Sequence, residues 1–153
     1  MKLALATQTL AAAVLAAGVA LAPVVSHAQS APQQAAQKSE RTRLVLQVSE
    51  DNPVNWNLAL NNAENVQQAL GKDNVQVEIV AYGPGLNMLK GESKVAGRLN
   101  AALDNNVDLI ACGVTMGKMK LTKADLAGGI KVVPAGLLHI MARQSEGWHY
   151  VRP

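Results

Sequence analysis

Short apolar runs separated by stretches of helical periodicity constrain the fold of this chain more than any other feature. The runs cover residues 44–48, 75–81, 107–112 and 130–133, and they are rich in Val, Ile and Leu. Strands that are nearly continuous apolar runs are buried on both faces, which is typical of parallel sheets. Because parallel strands need crossover connections, the pattern predicts helices between them. We therefore expect an α/β fold with right-handed crossovers.

The segments between these runs carry the start and stop signals of helices. Asn52 followed by Pro53 is typical of an N-cap with proline at the first helical position, and Gly71 ends the apolar repeat that follows. Residues 148–152 add a final edge strand, so the predicted fold is a three-layer αβα arrangement with a mainly parallel sheet of about five strands. Further helices are expected at residues 93–105, 122–125 and 134–146, while residues 82–85 are expected to form a loop.

Residues 1–28 have the pattern of a secretory signal peptide. Lys2 supplies a positive start, residues 3–25 are almost wholly apolar, and small residues precede a cut after Ala28. Cleavage is favoured over an uncleaved anchor because a glycine and a proline interrupt the apolar stretch. We therefore expect a periplasmic protein without a stable membrane anchor. Its predicted parts are a signal peptide at residues 1–28, a flexible leader at 29–42 and one α/β domain at 43–153.

The charge balance does not favour two classes of partner, nucleic acids and anionic membranes. The chain carries a formal charge of +3, and loss of the predicted signal peptide with its single lysine leaves +2. That charge is too small to indicate binding to nucleic acid or to an anionic membrane surface. No H-x-x-x-H or C-x-x-C spacing occurs either, so the sequence predicts no metal site.

The single cysteine of the chain lies where the fold class predicts a binding site. Open parallel sheets bind ligands outside the carboxyl ends of their strands, and Cys112 ends the third apolar run. A lone cysteine can form no disulfide within its own chain. The other predicted strand-end segments surround the same edge, and we expect substrate to contact them. The residues concerned are Asn52, Tyr82, Gly83, Gly85, Gly113, Thr115 and Gly136.

Two interpretations of Cys112 stay open from the residues alone. A thiolate at this edge, with Lys118, Lys120 and Lys123 just downstream, would attack a sulfur donor and hold the sulfur as a persulfide. This chemistry needs no metal or organic cofactor. Alternatively, Cys112 packs inward as the last core residue of its strand. His139 lies in an apolar helix and is expected to pack or cap, although a pairing with Cys112 as nucleophile and base is conceivable.

Six segments, taken in order and spacing, resemble the DsrE/DsrF-like proteins, which are small α/β proteins associated with sulfur oxidation and sulfur relay. The resemblance implies a three-layer fold and assembly into trimers or hexamers. It also implies that Cys112, on a strand-end loop, carries persulfide sulfur. The matching segments are LQVS at 46–49, WNLALNN at 56–62, IVAYGPG at 79–85, ACGVTM at 111–116, VVPAG at 132–136 and EGW at 146–148.

The leading hypothesis is thus a sulfur-handling protein of the cell envelope that takes sulfane sulfur from a donor protein or molecule and passes it on through Cys112. The sequence does not distinguish a sulfurtransferase from a carrier without turnover. The alternative is a non-catalytic oligomeric binding or scaffold module in which Cys112 is structural. A third hypothesis is a redox-sensing thiol that forms a disulfide between chains.

Overall fold

Five strands and four α-helices alternate along residues 41–153, the part of the chain that the computed structural model describes. The strands are β1 (Thr42–Val48), β2 (Val75–Ala81), β3 (Val107–Cys112), β4 (Lys131–Val133) and β5 (His149–Val151). The α-helices are α1 (Pro53–Leu70), α2 (Ala96–Asp104), α3 (Gly113–Met119) and α4 (Gly136–Ser145). The predicted signal peptide, its cleavage site and the leader up to residue 40 lie outside the described residues.

The strands form one sheet in the order β4-β3-β2-β1-β5, and every neighbouring pair is parallel. The three long strands occupy the middle, where Leu46 pairs with Ile79 and Ile79 pairs with Leu109. All three side chains are fully buried. The prediction of a parallel sheet of about five strands is confirmed, because its central strands are apolar enough to be covered on both sides.

Helices cover the two faces of the sheet unequally. The larger core packs α1, α2 and the 3₁₀ helix Gly83–Leu89 against one face, with Trp56 and Leu99 among its buried side chains. On the other face a smaller core joins Val45, Val80 and Ile110 to two side chains from the end of the chain, Ile140 and Trp148. Because β4 and β5 lie at opposite edges, α4 has to cross this second face to connect them. The three-layer arrangement is thereby confirmed.

The chain turns more tightly after the strands than the sequence predicts. Residues 82–85 were expected as a loop, but a 3₁₀ helix begins at Gly83. Gly85 permits this turn, because a β-carbon there would lie 2.5 Å from the carbonyl oxygen of Val48. Similarly, α3 begins at Gly113 directly after β3, where a loop was expected. Glycines at both places allow close approach of neighbouring backbone.

One predicted helix start differs from the structure, and another opens a shorter helix. The second predicted helix begins at Ala96 instead of residue 93, because residues 93–95 form a turn in which the Ala96 N–H donates to the Ser93 carbonyl at 3.0 Å. The capping box at Thr122 and Asp125 is present, and it opens a 3₁₀ helix of three residues, Lys123–Asp125.

Among the described residues, no helix combines the length and the apolar content required to cross a membrane.

The start of α1 follows the predicted capping pattern. The side-chain oxygen of Asn52 accepts a hydrogen bond from the Val54 N–H at 2.9 Å, and Pro53 takes the first helical position. One turn on, the Trp56 indole N–H donates to the Glu50 carbonyl at 2.7 Å, which ties the helix to the loop before it. Gly71 ends α1 with a φ of 84°. Asn52 therefore has a structural role at this edge of the sheet.

We expect replacement of Asn52 by Ala to lower the free energy of unfolding by about 1 kcal/mol, because the Val54 N–H loses its acceptor. Asn52→Ser, which keeps a capping oxygen, should lose much less. Urea denaturation of the three proteins under the same conditions measures the difference. Equal stability of the Ala and Ser variants would contradict the capping role.

Candidate thiol site at the carboxyl edge of the sheet

Cys112 lies at the end of β3 beside a broad cleft. Its side chain is 5% exposed, yet it contributes to the wall of a cleft of about 760 Å³. Segments that follow β2, β3 and β4 supply the rest of the wall, so the cleft sits where parallel sheets bind ligands. The lining includes Tyr82, Gly83, Val114, Thr115, Lys118 and Gly136.

Two helices begin at the thiol. Cys112 is the N-cap of α3, and the first residue of α4, Gly136, lies against it. Burial raises the pKa of the thiol, but hydrogen bonds from the Gly136 backbone, the Thr115 side chain and the backbones of Thr115 and Val114 outweigh it. The pKa of Cys112 is therefore lower than that of an ordinary cysteine. A larger share of the sulfur is thiolate at neutral pH, and thiolate is the nucleophilic form.

Thr115 connects two of the segments that line the cleft. Its side chain is buried, and its hydroxyl oxygen accepts a hydrogen bond from the Gly83 N–H at 2.9 Å. Since that oxygen already has a donor, the hydroxyl hydrogen is free to turn toward the sulfur of Cys112. Thr115 thus holds the start of the 3₁₀ helix and donates to the thiolate with the same group.

Gly136 allows α4 to approach the sheet closely. A β-carbon at this position would lie 3.0 Å from the β-carbon of Cys112, 3.3 Å from a methyl of Val80 and 3.4 Å from the β-carbon of Tyr82. Any larger residue would have to push these neighbours or the helix aside. This close approach of α4 brings the backbone of Gly136 within hydrogen-bonding reach of the Cys112 sulfur.

The cleft brings together four of the seven residues predicted to bind substrate. Tyr82, Gly83, Thr115 and Gly136 line it together with Cys112. The other three, Asn52, Gly85 and Gly113, do not line it. Asn52 caps α1, Gly85 packs on the Val48 backbone, and a β-carbon at Gly113 would lie 3.0 Å from the carbonyl oxygen of Val133. These three shape the edge of the sheet, and their contact with a substrate remains a prediction.

Of the three lysines expected near the thiol, Lys118 lines the cleft while Lys120 and Lys123 do not. Lys118 lies in the last turn of α3, and Lys120 ends that helix in a left-handed conformation with a φ of 55°. Lys118 therefore adds a positive charge to a cleft that is otherwise lined mostly by apolar side chains. That charge favours an anionic ligand beside the sulfur.

His139 has a partner other than Cys112. Its Nε2 lies 2.7 Å from Oε2 of Glu78, a carboxylate buried in β2, and Arg143 binds the same carboxylate. Neither Glu78 nor Arg143 is among the residues predicted from the sequence. An isolated carboxylate inside an apolar strand was the available signal, because a buried charge requires partners. Across residues 41–153, His, Cys, Asp and Glu side chains form no group of three that could hold a metal ion.

The chain is similar to several known proteins in sequence and fold. The model of the DsrE/DsrF-like family matches residues 27–153. MTH1491, a protein of unknown function from Methanobacterium thermoautotrophicum, is similar at 34% identity with a TM-score of 0.70, covering 73% of this chain and 99% of its own. No curated protein matches the chain.

Two further solved structures share the fold at low identity. BT1422, a conserved protein of unknown function from Bacteroides thetaiotaomicron, has 14% identity and a TM-score of 0.58, covering 76% of this chain and 98% of its own. The ychN protein from E. coli has 12% identity and a TM-score of 0.58, covering 73% and 97%. At these identities the likeness concerns the three-layer architecture alone.

Removal of the Thr115 hydroxyl should raise the pKa of Cys112. In Thr115→Val the sulfur loses a donor, while Thr115→Ser keeps the hydroxyl and should stay close to the original protein. The pH dependence of the rate of alkylation by iodoacetamide gives the midpoint directly. We expect the Val variant to shift toward the ordinary cysteine value of about 8.5. A Val variant with an unchanged midpoint would show that the hydroxyl does not stabilise the thiolate.

Proposed function

Because the chain belongs to the DsrE/DsrF-like family, we propose that it is a sulfur carrier in which Cys112 accepts sulfane sulfur as a persulfide and passes it on. Family membership indicates a sulfur-relay-type role at a coarse level. The residue and the chemical form of the sulfur are our proposal. The observation that carries it is the thiol itself, which has a lowered pKa and contributes to the wall of the cleft.

The transfer needs no external oxidant or reductant. The Cys112 thiolate attacks the outer sulfur of a donor R–S–S⁻, the donor S–S bond breaks, and R–S⁻ leaves with the electron pair. The product is the persulfide Cys112–S–S⁻, so one S–S bond forms for each one broken. In delivery, an acceptor thiolate attacks the outer sulfur of this persulfide, and the Cys112 thiolate leaves. Both steps favour a sulfur that is stable as an anion, because it is first the nucleophile and then the leaving group.

The donors around Cys112 support both halves of this cycle. Hydrogen bonds from Gly136, Thr115 and Val114 stabilise negative charge on the sulfur before acceptance and after delivery. In the persulfide state the outer sulfur carries the charge and extends into the cleft, where Lys118 is the cation among the lining residues. The two anionic states therefore have different partners within one site.

The walls of the cleft suit a species that water and oxidants would destroy. Much of the lining is apolar, including Pro84, Val114, Leu137 and Leu138. An apolar wall lowers the local dielectric constant and limits side reactions of an exposed persulfide. A cleft of this size also leaves room for the body of an organic or protein-bound sulfur donor. A donor or acceptor protein is part of the proposal.

The outer face of α4 supports the proposal of a homo-oligomer, a trimer or a hexamer. Leu137, Leu138 and Met141 are exposed by 54%, 64% and 54% on this helix, and Val114 is exposed on the neighbouring α3. Together with the cleft these four residues form an apolar surface, which we call the α4 surface. Apolar surfaces of this kind are typical of interaction sites. Assembly through the α4 surface would also narrow the open side of the cleft.

The proposed location is the periplasm, reached through the signal peptide predicted at residues 1–28. A thiol that takes part in sulfur transfer there would need protection from oxidation. The low exposure of Cys112 fits that need.

A second candidate function is a non-catalytic oligomeric module in which Cys112 is a structural core residue. The observation that favours it is the 5% exposure of the side chain, together with its tight packing against Gly136. The two candidates differ in the reactivity of the native thiol. A structural cysteine resists a small alkylating agent until the protein unfolds, whereas a carrier reacts in the folded state.

We expect the native protein to gain the mass of one sulfur atom when it is incubated with polysulfide or thiosulfate, and to lose that mass on addition of a thiol acceptor. Intact-protein mass spectrometry under native conditions measures both changes. Cys112→Ser is the matched control and should gain nothing. An original protein that reacts with iodoacetamide yet never gains sulfur would exclude the carrier function.

We expect Leu138→Glu to reduce the size of the assembly, because it places a charge in the apolar α4 surface, where burial of an unpaired charge is costly. Sedimentation velocity gives the size of each species. Val54→Glu is the control, since Val54 is also strongly exposed but lies on α1. Retention of the full assembly by Leu138→Glu would rule out this surface as the interface.

A further inference from the structure

A buried carboxylate lies beneath α4 in the central strand of the sheet. Glu78, in β2, is 1% exposed, and within residues 41–153 it is the one acidic side chain that the fold buries. A charge taken out of water is costly unless it is paired and hydrogen-bonded. Packing of the apolar core therefore does not explain why a carboxylate lies among Val and Ile side chains.

Both oxygens of Glu78 are held by α4. The Arg143 Nε lies 3.1 and 3.0 Å from the two oxygens, and its Nη2 donates to Oε1 at 2.8 Å. His139 Nε2 lies 2.7 Å from Oε2. Because residues 139 and 143 are four apart, they project from the same face of the helix on successive turns. Glu78 thus fastens two turns of α4 to the centre of the sheet.

The other contacts of α4 with the sheet are few. Of its ten residues, Gly136 and Ile140 are buried, while Leu137, Leu138 and Met141 point outward. A helix of this length has little stability by itself. The Arg143 guanidinium also lies over the Trp148 ring, 4.8 Å from its centre, in a cation–π contact. The hydrogen bonds of His139 and Arg143 with Glu78 are therefore a major part of what holds α4 in place.

The first N–H groups of α4 have no side-chain cap. Ala135 is the N-cap and has no side chain that could accept from them. Helices with such a start leave donors unsatisfied at the first turn. Here the Gly136 backbone donates to the Cys112 sulfur instead. The position of that first turn, which His139 follows by three residues, decides whether the donor reaches the sulfur.

We propose that Glu78 is a positioning residue which, by binding His139 and Arg143, holds the first turn of α4 against β2 and β3 so that the Gly136 N–H points at the Cys112 sulfur. The significance of this role rests on the proposed use of that sulfur as a thiolate. Glu78 itself touches neither the sulfur donor nor Cys112 in this scheme. Its effect passes through the helix.

Electrostatics and positioning predict opposite results for the loss of Glu78. The titratable and charged groups around it are His139 and Arg143 from α4 and Asp108, its neighbour in β3, which Lys131 binds at 2.7 Å. Acting through space alone, removal of the negative charge would make the thiolate easier to form and lower the pKa of Cys112. Loss of the bonds between Glu78 and α4 would move the Gly136 N–H away from the sulfur and raise the pKa of Cys112. The sign of the shift therefore separates the two causes.

The test compares the alkylation midpoint of Cys112 in the purified protein and in Glu78→Gln and Glu78→Ala. We expect a rise of about half a pH unit in Glu78→Gln and a larger rise in Glu78→Ala, as expected for loss of a helix-terminal donor to an anion. Gln67→Ala is the matched control. Gln67 is also buried and donates to the Asn105 carbonyl at 2.7 Å, but it belongs to α1 on the other face of the sheet. Its loss should reduce stability and leave the midpoint unchanged.

An unchanged or lowered midpoint in a folded Glu78 variant would overturn the proposal. Should Glu78→Ala fail to fold, Glu78→Gln decides, because the amide preserves the size of the side chain. Sulfur loading of the original protein is measured separately by mass. A protein that loads no sulfur while Glu78→Gln raises the midpoint would refute the carrier function and leave the positioning role intact. If the original protein loads sulfur but the midpoint does not rise in Glu78→Gln, the positioning role is refuted and the carrier function is kept.

Discussion

The path of the chain from one edge of the sheet to the other depends on one helix of ten residues, α4. It leaves β4 at one edge, crosses the second face and delivers the chain to β5 at the opposite edge. Within residues 41–153, α4 is the helix whose buried side chain joins the smaller core. Its first turn has to lie close to the sheet, which a glycine at position 136 permits. The surroundings of the Cys112 thiol therefore follow from the path of α4 across the sheet.

The Cys112 side chain is little exposed, yet its thiolate form is stabilised by hydrogen bonds. Burial by itself would keep Cys112 protonated and inert, but donors from the beginnings of α3 and α4 reverse that effect. Two of these donors are held in place by further interactions. Thr115 is held by the Gly83 N–H, and α4 is held by the hydrogen bonds of His139 and Arg143 with Glu78. The chemistry of one sulfur atom thus depends on three strands and both faces of the sheet.

The sequence predicts the architecture well because apolar runs and caps are local signals. The limits of β2 and β3, the cap at Asn52 and the end of α1 follow from neighbouring residues. The helical turns after β2 and β3 were not predicted, because a glycine that permits close backbone contact looks the same in a sequence as a glycine in an open loop. The partners of Glu78 could not be predicted either. They lie 61 and 65 residues away, and no local pattern connects them.

The two edges of the sheet share a feature whose effect reaches beyond the single chain. Both β4 and β5 are three residues long. An edge this short offers an incoming strand too few free N–H and C=O groups to pair with, which is a common protection against uncontrolled growth of sheets. Copies of this protein would thus be expected to meet through side chains on their helical surfaces, and contacts of that kind can close into particles of fixed size instead of extending into fibrils.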